Sequence, residues 1–145
     1  MAGLRISAVS GSVATGTSNK TILSITAPAN QRLVIDRASI SFAGVSPTAD
    51  KILVQILRSA TGGSGSSGVT VQKVNASDAE SVQATAAKDY SGGPMSGTAI
   101  FEELVHPQSG YTAPEKIIVK GGETLAINVT AVAGVNCRAR FNGEE

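Results

Sequence analysis

Tryptophan is absent, and only three Phe and two Tyr stand among the 145 residues. Folds that read bases stack them on aromatic side chains, and sugar-binding sandwiches use similar platforms. Phe42, Phe101 and Phe141 fall in strand patterns and read as core. Tyr90 and Tyr111 are left as exposed anchors, because both sit in Gly- and Pro-containing stretches. One cysteine, Cys137, excludes an intrachain disulfide and with it a disulfide scaffold. One histidine, His106, and one cysteine cannot make a tetrahedral zinc site between them. No run of about 18 apolar residues is present, so no membrane-spanning helix is expected.

A charge surplus is missing as well. Twelve basic and eleven acidic residues leave a net charge of +1. Nucleic-acid binders cluster Lys and Arg to displace phosphate counterions, whereas the basic residues here are scattered. The best local pair, Arg138 and Arg140, reads as an ordinary solvated or ion-paired strand face. The motifs of catalysis are also wanting. His106 precedes Pro107 at a strand end, and no Gly-x-Ser-x-Gly elbow surrounds a serine. Glu102 and Glu103 are adjacent, so on a strand they point to opposite faces and cannot share a cleft. The run from Gly62 to Gly68 lacks the Lys-Ser/Thr and helix of a phosphate loop. No catalytic residue, cofactor, metal or small-molecule substrate is expected.

What is there is β signal. The length fits one domain, since domains cluster at roughly 100–150 residues. The 41% apolar fraction is mostly Val, Ile, Leu and Ala. Leu4 to Val9 alternates weakly, and Gly11 to Ser18 is rich in Gly, Ser and Thr. Residues 1–18 therefore read as a flexible, partner-dependent arm carrying one short strand, with a plain disordered terminus as the alternative. Residues 19–145 form the domain. Lys20 to Ala27 is a strand closed by Pro28. Arg32 to Ala43 is a long strand whose apolar parity switches between Ile35 and Ala38, which predicts a bulge near Asp36–Arg37. Lys51 to Arg58 is continuous enough for a strand or a short helix; its length and β-branching favour a strand. Ser59 to Gly68 reads as the most flexible loop. Val69 to Val74 alternates as a strand.

Asn75 to Lys88 holds the one helix-like segment, with Ser77 and Glu80 spaced as a capping box. Gly97 to His106 is a strand. The Gly121-Gly122 pair between Lys116–Lys120 and Glu123–Thr130 predicts a tight hairpin. A last turn at Ala133-Gly134 leads into Val135 to Phe141. Val135, Cys137, Ala139 and Phe141 share one face there. About eight strands with a short helical insertion predict an all-β, antiparallel β-sandwich of jelly-roll type. An immunoglobulin-like sandwich is the alternative, without its Cys–Trp–Cys core.

Several ordered blocks resemble small virion proteins of tailed bacteriophages, in particular jelly-roll capsid decoration (cement) proteins. They are Lys20–Pro28, Ile40–Gly44, Lys51–Arg58, His106–Tyr111 and Val119–Leu125, followed by a C-terminal strand ending in Glu. The resemblance spans most of Thr21 to Glu145. It implies a non-enzymatic protein on the capsid exterior, made in the host cytoplasm. It also implies a homotrimer bridging major capsid protein subunits, with no nucleic-acid or membrane partner. A tail or collar component and a carbohydrate- or cell-surface-binding module are the alternatives. Leu4, Ile6, Val9 and Val13 of the arm, with Tyr90 and Tyr111, are the candidate partner contacts.

Overall fold

Period-two burial builds the first sheet. Leu33, Ile35, Ala38, Ile40 and Phe42 are buried along one strand, and Cys137, Ala139 and Phe141 along its neighbour, while Arg138 and Arg140 stay outside. β-Branched residues fit such a pleated, half-buried surface. The computed structural model describes residues 3–45 and 50–145. Among them there is no helix. In chain order the strands are β1 (Arg5–Val9), β2 (Val13–Ala14), β3 (Lys20–Thr26), β4 (Leu33–Phe42), β5 (Ile52–Ser64), β6 (Ser67–Val69), β7 (Gln72–Lys73), β8 (Thr85–Lys88), β9 (Gly93–Val105), β10 (Gly110–Thr112), β11 (Ile117–Val119), β12 (Thr124–Thr130) and β13 (Asn136–Glu144).

Two antiparallel sheets pack face to face. One runs β10-β4-β13-β1-β7, with β11 also on β4 and β2 on β13; the other runs β6-β8-β3-β12-β5-β9. The pairing is nested. β1 lies on β13, β3 on β12, β4 on β10 and β11, and β5 on β9, so each N-terminal strand meets its C-terminal counterpart. Ile6, Leu23, Ile35, Ile56, Ile127 and Phe141 are among the side chains filling the space between the sheets. Branched aliphatics interdigitate there in place of aromatic bulk.

The bulge lies where the parity switch places it. Arg37 is opposite Asn142 and Ile35 is opposite Gly143, which leaves Asp36 as the extra residue of β4. Its carboxylate pairs with Arg5 and, at 3.6 Å, with Lys116. Gly143 faces the bulge so closely that a Cβ would run into the carbonyl oxygen of Val34.

The second sheet is covered on its outer side too. Register shifts after Ile56 and after Arg58 divert the far half of the β5–β9 hairpin. Met95 is thereby brought over β3 and β12. Its N–H donates to Thr21 Oγ1 at 2.8 Å, and its carbonyl accepts from Asn128 Nδ2 at 3.0 Å. Thr21 Oγ1 in turn donates to Asn128 Oδ1 at 2.7 Å. Leu57, Ala60, Tyr90 and Met95 close over Ala126 as a small second core. Gly63, at φ +82°, carries no Cβ because the Tyr90 ring and Met95 occupy that space.

Four sequence expectations are corrected by this arrangement. Residues 4–15 are no loose arm: Leu4, Ile6, Ala8 and Val13 are buried, and β1 pairs along its length with β13. The Ser and Thr that read as linker complete the ladder. Ser10 Oγ accepts from Ala139 N–H at 2.9 Å, and Thr15 Oγ1 from Val135 N–H at 3.1 Å. The Gly-rich stretch 59–68 is drawn into β5 and β6, its glycines 62, 63 and 65 taking positive φ. The helical insertion at 75–88 is absent. One turn closes from Asp78 N–H to Asn75 O, Gln83 N–H donates to the Glu145 carboxylate, and Thr85–Lys88 becomes β8 against β3 and β6. A free strand edge outweighs the weak helix propensity of a stretch containing Val82 and Thr85. Finally, the Gly121-Gly122 turn forms no hairpin. β11 pairs with β4 and β12 with β3 and β5, so the turn carries the chain between sheets. β12 gains two long partners that way, where the three-residue β11 offers one short one.

Three substitutions test these devices. Asn128→Ala strands buried polar groups on Thr21 and Met95 and is expected to cost about 2–3 kcal/mol in urea unfolding. Thr124→Ala, which removes a half-buried cross-strand hydroxyl pair with Thr26 of β3 (2.7 Å), is expected to cost under about 1 kcal/mol. Gly143→Ala forces β13 off the bulge and is expected to cost about 3 kcal/mol or more, read as a lowered urea midpoint.

Candidate functional site

The outer face of the first sheet is bare, and its strand register composes a trough. Gly110, Ser41 and Arg138 lie side by side across β10, β4 and β13. Two residues along, Thr112, Ser39 and Arg140 do the same, with Val9 of β1 next to Arg140. Residues two apart on a strand share a face. The floor is therefore low, made of glycine and small hydroxyls, with two guanidinium groups along one side. The hollow is about 510 Å3. Val9 is 57% exposed at its end. Arg140 Nε donates to Ser39 Oγ at 3.0 Å, which fixes the guanidinium over the floor.

Charge in the trough is of one sign. Its lining holds Arg138 and Arg140 and no carboxylate. Neither arginine has an ion-pair partner among the described residues, whereas Arg5, Lys20 and Lys116 each meet an Asp. The ion-paired reading of that strand face thus does not hold. Tyr111 sits in the intervening row, opposite Ile40, and packs half-buried against the core. Burial, and then the charge of Glu103, raise its phenol pKa.

A second hollow opens at the sandwich edge, where β9 and β10 leave the sheets unjoined. Ile100, Phe101, Glu102, Glu103, Tyr111 and Pro114 are among its lining residues. Both glutamates border this one hollow, contrary to the expectation that they share no cleft, but they turn to different partners. Glu102 accepts from Gln55 Nε2 at 3.0 Å, and Glu103 faces Tyr111. His106 Nδ1 accepts from Gln108 N–H at 3.1 Å within a turn. No group of three or more His, Cys, Asp or Glu gathers to hold a metal among the described residues.

Of the six residues singled out as partner contacts, Leu4, Ile6 and Val13 are core and unavailable to a partner. Tyr90 is 8% exposed, its hydroxyl 2.7 Å from Ser24 Oγ. It lies under the Met95 cap instead of on the surface. Val9 and Tyr111 remain: Val9 stands at the end of the trough, and Tyr111 contributes to its lining from the intervening row while its ring packs on the core. Sequence reading missed the role of Ser39 and Ser41. Their i, i+2 spacing matches that of Arg138 and Arg140, but only the β4–β13 register places the two pairs side by side. Comparison of the chain with protein-family models, with curated proteins and with solved structures finds no match.

Cys137 lies on β13 facing the core, its thiol donating to Val13 O at 3.3 Å. Burial, partly countered by Lys20, pushes its pKa from 9.0 up to about 12. The folded chain keeps this proton where the unfolded chain loses it. Its contribution to stability is therefore complete below pH 9.0 and is lost as pH rises toward about 12. The stability of wild type relative to Cys137→Ala is expected to narrow over that window in urea titrations. At pH 8 the native thiol is expected to resist a disulfide reagent until urea unfolds the chain.

Proposed function

We propose that this chain is a non-enzymatic structural protein of a tailed-phage virion, most specifically a capsid decoration protein. In that role it sits on the head exterior and bridges major capsid protein subunits as a homotrimer. The observation that carries an assembly role is the β9 edge. It spans Gly93–Val105 as the last strand of its sheet, with Leu104 60% exposed and Ile100 and Phe101 half-buried beside it. A long edge with apolar side chains is a template for pairing with another chain, and monomeric proteins blunt such edges. Repeated over many copies, a modest contact of this kind becomes effective through multivalency.

Strand order supports the jelly-roll reading. β10 and β11 both pair along β4; counting them as one, and setting aside the short β2, β6, β7 and β8, leaves eight main strands. Their orders, β1-β13-β4-β10/β11 and β3-β12-β5-β9, are those of a nested hairpin rolled into two sheets. The choice of a phage head rests on the resemblance of the ordered blocks from Lys20 to Leu125. A tail or collar component is the second reading, which the same edge would serve equally.

Electron cryomicroscopy of purified particles tests this. Copies arrayed on the capsid lattice are the expected result. A ring at the neck or tail selects the second reading, and a free chain without particle association overturns both. Leu104→Lys is expected to lower particle occupancy while leaving the unfolding free energy from urea titration within about 0.5 kcal/mol of wild type.

A further inference from the structure

We propose that the Arg138–Arg140 trough is a binding site for an acidic saccharide, holding a sugar carboxylate on the guanidinium groups and ring hydroxyls on Ser39, Ser41 and Thr112. Two cations without a carboxylate partner among the described residues line one wall of a hollow that holds no carboxylate. Arginine matches a carboxylate with two parallel N–H donors. The Ser39 bond engages Arg140 at Nε and leaves its terminal nitrogens to a ligand. That side chain is held in place before any ligand arrives, which lowers the entropy lost on binding.

The floor selects the class of ligand. β4, β13 and β1 are laddered on both sides beneath the trough, and the one open edge there is that of β10, only three residues long, which offers little length for a peptide to extend. What the floor offers is side-chain hydroxyls in two rows, the pattern that meets a sugar's own hydroxyls. Val9 supplies an apolar contact for the C–H face of a ring. A volume of about 510 Å3 lies within the roughly 300–1,000 Å3 of small-ligand sites. Two arginines are too few for a nucleic-acid backbone, and Tyr111, turned to the core, gives no stacking platform. Recognition is by charge and hydrogen bonding, which is why the scarcity of aromatics does not argue against it.

The inference does not depend on the assembly role, and its test uses the free, full chain. Trigalacturonate, maltotriose, sodium sulfate and a Glu-rich peptide are titrated in turn, with amide chemical shifts and calorimetry as readouts. The expected result is saturable binding of trigalacturonate, with shifts centred on Ser39, Ser41, Thr112, Arg138 and Arg140. Maltotriose should not bind, and sulfate should bind about tenfold more weakly or worse. Arg138→Ala and Arg140→Ala should each weaken trigalacturonate binding by about tenfold, as for loss of a charged hydrogen bond. Arg140→Lys keeps the charge without the planar fork and should fall between. Unperturbed amide spectra elsewhere would show that the variants fold. Shifts outside the trough overturn the proposal. So does equal affinity for sulfate, tighter binding of the peptide, or no binding up to about 10 mM.

Discussion

The peptide of Met95 is gripped on both sides by side chains from two other strands, and the second sheet depends on that grip. Thr21 of β3 and Asn128 of β12 are polar residues buried with almost no exposed surface. An unpaired polar group there costs roughly 1–3 kcal/mol. Met95 offers one donor and one acceptor that would be equally stranded without them. Three hydrogen bonds close the account for all three residues. The position of the hairpin follows. With Met95 fixed, Tyr90 and Leu57 close over Ala126, and the Tyr90 hydroxyl reaches Ser24. β3 and β12 become buried on both faces. That explains why Thr21 to Ile25 and Leu125 to Val129 are buried without alternation, the pattern of strands covered on two sides.

Nested pairing spreads this dependence through the chain. β1 joins the sheet through β13, at the other end of the sequence, and β3 joins through β12. Contacts between such distant segments require loop closure before they reward it, so folds of this kind form slowly. The hydroxyls of Ser10 and Thr15 matter in this light. They continue the β1–β13 ladder through a stretch where Gly11 and Gly16, both at positive φ, break the regular strand. A sequence that looks like linker is thus a strand interrupted twice and repaired with side chains.

Local pattern made some of the fold legible and hid the rest for definite reasons. Alternation in Leu33–Phe42 and Val135–Phe141 reported burial correctly, and a parity switch located the bulge at Asp36 because an extra residue must flip the face. Those features are local. Whether Gly121-Gly122 makes a hairpin or a crossing between sheets is decided by which distant strands accept β11 and β12. Composition near the turn is the same in both cases. The Asn75–Lys88 segment misled because a capping pattern competes there with an open edge of β3, whose presence no local window reveals. Leu4, Ile6 and Val13 were read as contacts for a partner, and they are contacts for the chain's own C-terminal strand. The apolar signal was right and the occupant was wrong. The trough was legible only in halves, as alternating arginines in one strand and alternating serines in another.

The two sheets treat their outer faces differently, and that asymmetry concentrates function. The second sheet spends the length of its β5–β9 hairpin covering itself, which seals β3 and β12 but leaves β9 as an exposed edge. The first sheet receives no such cover. Its outer rows would expose apolar surface if they carried large side chains, and they carry Gly110, Ser39, Ser41 and Thr112 instead. Small polar residues keep an uncovered face soluble, yet they need no flanking cations for that purpose. Arg138 and Arg140 set two like charges on one face of β13 with no carboxylate in the lining to meet them, and an anion held between them would satisfy both.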